Sequence, residues 1–546
     1  MKYCLIVLLM TPLMVASQPI IVWQECFGTS LGDYFNDAIT TSDNGFLVAA
    51  YFEGTDGDAT PDDPILHPII VMKFDSAFNI EWRREYGGSN GYNNTIKILP
   101  LPDGYLFGAF SSATDGDFVG NNGGRDFALL KTDFDGNKIW AKCYGGPGDD
   151  FIKSVMLTDD NSYLITGSSY FDGGDIPFHY GDGSSADAIV MKIDSMGEII
   201  WVKNLGGSSG DGPIGDPVLC NSGIYQIHIF SSSGDYDLVD ADTAIGDLKR
   251  WIVNLNSSGE IVQQNYISSE SDLTRFDGRT FRSDSQTIVI GVGNAESVLF
   301  PAPESHGGLE GAMAIFDNNL ELSELHQWGG SLDDTYYTFT RDEFGNYFFI
   351  GTSNSMDGDL PNNYNGGSNE DYWLLKTDSN LNKLWSINFG GEFEGGDLAG
   401  GAFLGNIFYK DNHIYLFTTC MVPDIIPDHD IQCGHLSTIP GFNFSDAWIV
   451  DFELPFNDIE SVKNGLFQLF PNPAENFVNI KFSLLNSSFQ NYNVYVYDIV
   501  GNLISVDKPN SQTFTLDTSE YVNGIYIIKI LQNNDFIGHN KFIVQH

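Results

Sequence analysis

The chain runs to 546 residues and carries 73 Asp and Glu against 26 Lys and Arg, a formal charge of −47. Such an excess of acid excludes the counterion-displacing route to nucleic acid and argues equally against an anionic membrane surface, while offering oxygen ligands to hard cations. The length exceeds one ordinary core, and 14% aromatic residues with 59 Gly suit many short strands joined by tight turns, so a repeat array or several domains is expected rather than disorder.

In chain order, residues 1–17 read as a cleavable secretory signal: one Lys, an apolar stretch from Tyr3 to Val15, then small Ala16 and Ser17. That stretch is too short for a membrane anchor, and no other apolar run is long enough for a transmembrane segment. From residue 18 to 453 one pattern repeats. Aligned on the residue after a short apolar run, it places Trp23, Trp82, Trp140, Trp201, Gln263, Glu324 and Trp385 about 60 residues apart. Gly pairs follow most of them, as at Gly87-Gly88, Gly145-Gly146, Gly206-Gly207, Gly329-Gly330 and Gly390-Gly391.

Each unit holds four strand-length apolar segments; the third unit reads FIKSVMLT, SYLITGSS, DAIVMKID and GEIIWVKNL, with turn signals between them. Four strands per unit describe one blade of a β-propeller. Third segments occur seven times, the last ending at Glu453, whereas the first of the fourth segments (residues 20–24) precedes the first complete unit. The reading is therefore an all-β, seven-bladed propeller whose N-terminal strand completes the last blade, because an open ring would leave sticky edges. A Trp at one fixed strand position beside close-approach glycines predicts blade-to-blade packing for Trp23, Trp82, Trp140, Trp201 and Trp385. The pattern K-x-D-x-x-G-x-x-x-W (Lys131, Asp133, Gly136, Trp140) resembles the tryptophan-docking motif of quinoprotein propellers, and it brings no cofactor residues with it.

Between second and third segments lie acidic loops such as TDGD (55–58), TDGDFVGNNGGRD (114–126) and MDGDLPNNYNGGSNED (356–371). Two carboxylates one residue apart around a Gly nominate Asp115 with Asp117, and Asp357 with Asp359, as ligands for calcium, although no Glu stands where an EF-hand needs its twelfth ligand. The competing reading is an Asx turn in which the same carboxylates cap backbone N–H groups. Past the signal, Cys26, Cys143, Cys220, Cys420 and Cys433 match no zinc spacing; Cys420 and Cys433 are either a local disulfide or buried thiols. His179, His306, His429 and His435 fall in loops and are expected to be solvated.

The repeat, with its DGD, GG-x-D and K-x-D-x-x-G-x-x-x-W landmarks, resembles one common in secreted proteins of Gram-negative bacteria that use type IX secretion. The resemblance spans residues 20–453 and is weakest in the fourth and fifth units, where Gln263 and Glu324 replace the Trp. After Glu453, residues 454–465 read as a linker, and 466–546 as a small antiparallel β-sandwich of alternating apolar runs. Within it Pro471-Asn472-Pro473, Asp498 with Gly501, Gly524 with Tyr526, and Lys541-Phe542-Ile543-Val544 resemble the type A sorting domain of the type IX system. That resemblance implies export to the periplasm, passage across the outer membrane by the secretion machinery, and commonly removal of the domain with attachment to surface lipopolysaccharide. Gln545-His546 stand where many relatives end on a basic residue.

The function expected from these features is that of a non-catalytic propeller, at the cell surface or outside the cell, binding glycan or protein through its loop face. The alternative is a hydrolase or lyase acting on polysaccharide. That would need an arginine group, a Tyr or acid nucleophile and a second acid converging on the axis. Arg83, Arg84, Arg125, Arg250, Arg275, Arg279, Arg282 and Arg341 include no three at equivalent blade positions, and no nucleophile-elbow, zincin or P-loop motif occurs. No catalytic residue is nominated.

Overall fold

The computed structural model describes residues 18–54, 56–59, 68–221, 223–238, 249–268, 279–283, 286–294, 306–360, 370–391, 405–421, 430–435, 445–454, 467–482, 492–498, 503–532 and 535–546. The signal segment, the linker from 455 onward, Arg275, His429 and Gly501 lie outside them. The chain divides into two compact units, one of residues 21–341 with 347–452 and one built on 453–546. Among the described residues no helix is long and apolar enough to cross a membrane.

The first unit consists, among the described residues, of seven four-stranded sheets. Six follow chain order over residues 33–86, 93–144, 150–205, 211–268, 280–328 and 334–389. The seventh takes three strands from 406–453 and receives Ile20–Phe27 beside Ser445–Glu453, so the N-terminal strand completes the last sheet. Sheet three shows the common register: Val155 pairs with Ile165, Thr166 with Val190, and Met191 with Val202.

Burial explains the pattern of each strand. Second and third strands such as Phe46–Phe52 and Asp187–Ile193 are buried at every position, hence their near-continuous apolar runs, whereas fourth strands such as Lys138–Tyr144 keep one exposed end. First strands carry a bulge at one recurring place, between Phe35 and Asp37, Thr95 and Lys97, Ile152 and Ser154, and Tyr336 and Thr338. A bulge adds local right-handed twist, which a propeller blade needs. The turn into the fourth strand is held by an Asx cap: Asp133 Oδ1 accepts the N–H of Asp135 and of Asn137. Gly136 follows at φ 77°, and Phe78, Leu320 and Leu381 take the same left-handed position in other sheets.

The cores lie in the seams between neighbouring sheets. Phe107 and Leu130 face Val71 and Leu47 across the first seam, and Tyr225 and Trp251 face Val190 and Leu164 across the third. The seventh sheet's Phe417, Ala447 and Ile449 pack with Phe35, Phe46 and Val48 of the first.

One cysteine expectation needs correction. Cys433 is bridged to Cys26, 407 residues away, and not to Cys420. Bringing the N-terminal strand into the last sheet sets the two Cα atoms 5.5 Å apart. Cys420 stays a buried thiol whose sulfur lies 3.7 Å from that of Cys26.

In the second unit Phe467–Phe470, Phe477–Phe482 and Thr513–Asp517 form one sheet. Leu503–Asp507, Tyr492–Asp498, Gly524–Gln532 and Asp535–Val544 form another. Val478, Ile480, Val496, Ile528 and Phe542 fill the core between them.

Candidate functional site

The axis is where blades of a propeller can pool side chains, and hydrogen bonds between non-neighbouring sheets cross it here. Lys97 of sheet two reaches Asp216 of sheet four at 2.9 Å, and the Ser154 hydroxyl of sheet three donates to the same carboxylate at 2.5 Å. Arg279, entering sheet five, reaches Asp37 of sheet one at 2.8 Å and Asn406 of sheet seven at 2.9 Å. Asp37 also accepts from Asn406 Nδ2 and from the backbone N–H of Ile98. Burial alone would raise the Asp216 carboxyl, but Lys97 and Arg279 beside it hold it down at about 2. Two acids and two bases thus neutralise one another, and a carboxylate held that low is no general acid near neutral pH.

The other described arginines are engaged elsewhere. Arg84 lies over Trp82, Arg341 over Tyr347, and Arg250 is buried against His228. Arg83 pairs with Glu85, and Arg282 with Asn318. Arg125 sits over Tyr92, Phe110 and Phe151, 5.5–5.7 Å from each ring. Those rings continue a row: Tyr34 stacks on Tyr51 at 5.0 Å, Tyr51 meets Tyr92 at 5.6 Å, Tyr92 meets Phe110 at 5.9 Å, and Phe110 meets Phe151 at 5.6 Å. The row crosses the loop ends of sheets one, two and three, and all but Tyr51 are only half-buried.

The acidic loops make a recurrent clip. Gly28, Gly87, Gly145, Gly206, Gly329 and Gly390 each donate their N–H to the second carboxylate of the loop in the following sheet, which is Asp58, Asp117, Asp175, Asp237, Asp359 or Asp430. The Asp N–H returns to the same Gly carbonyl. The first carboxylates cap the next residues: Asp115 accepts from Ser89 N and Oγ, and Asp357 from Ser331 N. Asp117 and Asp359 additionally hold Lys138 at 2.5 Å and Lys383 at 2.9 Å. Among the described residues no three His, Cys, Asp or Glu side chains are grouped to hold a metal ion.

Beneath the clips lies a layer that sequence reasoning missed. The Asp entering a first strand and the acid entering the preceding third strand come together: Asp33 with Asp446, Asp126 with Asp150, Asp187 with Asp211, and Glu310 with Asp334. Burial drives Asp33, Asp126 and Asp187 up to about 7, and Asp150 and Asp334 up to about 6. The loop histidines expected in solvent stand on these acids. His179 is buried 3.6 Å from Asp187, His435 bonds Asp446 at 2.9 Å, and His306 lies 3.9 Å from Glu310. Each precedes the acid of a third strand, but at no constant interval, so the sequence carries no spacing signal for the pairing.

The five tryptophans line the sheet faces. Trp82 lies against Gly136 of the next sheet, Trp201 against Gly259 with Nε1 donating to the Ser257 carbonyl, and Trp23 stacks on Phe78 at 4.5 Å. Trp140 packs on the core between sheets two and three, and Trp385 is buried near Phe348. More deeply buried anchors went unnoticed in the sequence: Trp251, Trp373 and Trp448 on third strands are fully buried.

In the second unit the motif segments meet at one place. Asn472 accepts the N–H of Ile543 at 2.8 Å and donates to the Lys541 carbonyl, while Ala474 N–H bonds the Ile543 carbonyl. Gly524 opens the strand paired with that last one; Tyr526 stacks on Phe542 and donates to the Val522 carbonyl. Pro471 and Pro473 flank Asn472 with cis peptide bonds. The Asp498 backbone pairs with Tyr526.

Residues 468–545 match the family model described as a secretion system C-terminal sorting domain. The tail marks the chain for type IX export to the cell surface or the extracellular space. Among curated proteins nothing matches the chain. Of solved structures, it is similar to PorZ, described as an essential bacterial surface component of the type-IX secretion system of Porphyromonas gingivalis. The identity is 12% and the TM-score 0.38, over 94% of this chain and 59% of that one. Raptor of Chaetomium thermophilum is 10% identical at TM-score 0.38, over 80% and 30% of the two chains. Hydrazine synthase of Kuenenia stuttgartiensis is 10% identical at 0.36, over 65% and 78%. Values of this size bear on neither activity nor ligand.

Proposed function

We propose that this is an exported, non-catalytic binding propeller that engages glycan through the aromatic row at its loop face, with the sorting domain supplying its delivery. The observation that carries this reading is the run of rings from Tyr34 to Phe151, with Arg125 over its Tyr92, Phe110 and Phe151 end. Half-exposed aromatic faces and a guanidinium are the side chains that dominate recognition surfaces, because they offer large contact area at small entropic cost. Support also comes from the axis, where Lys97, Arg279, Asp37 and Asp216 are spent on one another rather than presented to a substrate.

The test is a glycan and protein pull-down with the secreted chain, repeated with Tyr92→Ala and Phe110→Ala. Capture of a polysaccharide that weakens in both variants supports the reading. Capture of a protein alone transfers the face to a protein partner. Polysaccharide turnover that is lost in Asp216→Asn overturns the non-catalytic assignment.

A further inference from the structure

The fourth sheet departs from sheets one, two, three and six along one row, and the fifth departs differently, with Ile288, Ile315 and Glu324. At the level of the recurring tryptophan, residues paired across the second, third and fourth strands are Leu47, Lys73 and Trp82 in sheet one, and Leu106, Lys131 and Trp140 in sheet two. Sheet three has Leu164, Lys192 and Trp201, and sheet six has Phe348, Lys376 and Trp385. In sheet four the same row is Gln226, Asn254 and Gln263, three carboxamides on one face.

The exchange leaves space. Trp201 covers Gly259 of the neighbouring sheet, but Gln263 is too short to cover its counterpart; it donates to the Asn318 carbonyl at 3.2 Å and accepts from Asn254 Nδ2 at 3.1 Å. A cavity of about 330 Å³ remains in the seam between sheets four and five, walled by the carboxamide row, Arg282 and Leu320. Three polar atoms in that wall are buried without a hydrogen-bond partner: Gln226 Nε2, Asn254 Oδ1 and Arg282 Nε. Gln226 is fully buried and Asn254 is 6% exposed. An orphaned buried polar atom costs roughly 1–3 kcal/mol, so three in one wall are poorly explained by packing alone.

We propose that this seam cavity binds one neutral sugar ring. Two open donors beside an open acceptor suit hydroxyl groups, each of which both donates and accepts. A carboxylate or phosphate would set its lone pairs against Asn254 Oδ1, and a metal ion would meet the Arg282 guanidinium and the Gln226 NH₂. Leu320 and Val262 supply an apolar edge for the C–H face of a ring. The volume stands at the low end of the roughly 300–1,000 Å³ common for small-molecule sites, which fits one ring and not a chain of them. The site shares its ligand class with the loop-face reading but none of its residues.

The test titrates the secreted chain with glucose, galactose, mannose and N-acetylglucosamine, with glucuronate and inorganic phosphate as anionic arms, by saturation-transfer NMR and calorimetry. At least one neutral sugar binds with millimolar or tighter affinity. Gln263→Trp, which installs the residue of sheets one, two, three and six, weakens it at least about tenfold without lowering the thermal midpoint. Asn254→Leu gives the same loss and decides the matter should Gln263→Trp fold poorly. Absence of neutral-sugar binding, preference for the anions, or binding that survives both variants overturns the proposal. Sugar binding that disappears in Tyr92→Ala and survives in Gln263→Trp belongs to the loop face, and removes this site while leaving the reading above in place.

Discussion

Asp126 and Asp150 close on Gly145 from two sheets, so near that a Cβ on that glycine would stand 2.5 Å from Asp150 Oδ2 and 2.7 Å from Asp126 Cγ. The two carboxyls share a water-poor seam, and burial lifts them to about 7 and about 6. Equivalent acids occupy three further seams. Folding favours their neutral form, so their contribution to stability is complete below the unfolded value of about 3.9 and is lost as pH rises through 6 to 7. Opposing them, the Lys73 and Lys192 ammonium groups overcome burial to hold Asp43 and Asp160 down at about 2, which adds stability lost as pH falls through that value. The thermal midpoint therefore peaks near the unfolded carboxylate value, at pH ~4, and declines towards pH ~7. Asp126→Asn flattens that decline in a calorimetric pH series. A midpoint that rises steadily from pH ~4 to ~7 contradicts the pairing.

Gly145→Ala tests the same seam by volume. The added methyl must displace one of the two carboxyls or spread the sheets, since both lie inside contact distance. Overpacking of this kind costs about 1–3 kcal/mol, read as a lower denaturant midpoint at unchanged slope. Alanine at Gly212, which has nothing within 4 Å of its Cβ position, is the quiet control.

These pairs also show what was legible beforehand. Strand positions could be read because each blade rewrites the same four segments, and a buried second or third strand needs a continuous apolar run. The contacts that define the site are relations between blades instead. Arg279 meets Asp37 across 242 residues and Lys97 meets Asp216 across 119, separations that no local pattern encodes. His179 and His435 looked like solvated loop residues because the acids they rest on become neighbours only after the third strand is laid down.

The Cys26–Cys433 bridge ties the N-terminal strand to the last sheet across 407 residues. Cross-links over long loops restrain the unfolded chain most, and losing one typically costs about 2–5 kcal/mol. Cys433→Ser lowers the denaturant midpoint accordingly, whereas Cys420→Ser, which leaves the bridge intact, has a smaller effect. Peptide mapping under non-reducing conditions recovers a linked 26–433 pair. A 420–433 pair refutes the assignment.

For the acidic loops, the oxygens of Asp115 and Asp117 go to Ser89, Gly87 and Lys138. Loss of a cap that satisfies a backbone N–H costs about 1 kcal/mol, so Asp115→Ala and Asp357→Ala each lower stability by that order in calcium-free buffer. Millimolar calcium leaves the wild-type thermal midpoint where it is. A rise with calcium that both variants abolish assigns these loops to metal instead.

Asn472 joins the two ends of the sorting unit. Its side chain accepts the Ile543 N–H and donates to the Lys541 carbonyl, so the PNP turn is fastened to the final strand by both halves of one carboxamide. The chain end is secured as well, since Gln545 N–H bonds the Ala474 carbonyl and His546 bonds Asn523 and Tyr521. Removing residues 541–546 deletes the partner of the turn and takes Phe542 and Val544 out of the core they complete. In a host competent for type IX secretion, this truncation leaves the protein in the periplasm. Asn472→Ala costs about 1–2 kcal/mol of tail stability and lowers the exported fraction in part. Asn472→Asp keeps the acceptor for Ile543 and loses only the donor, so it exports better than the alanine variant. Immunoblots of periplasmic and external fractions rank the three, and full export of the truncated chain refutes a role for the fastened end in recognition.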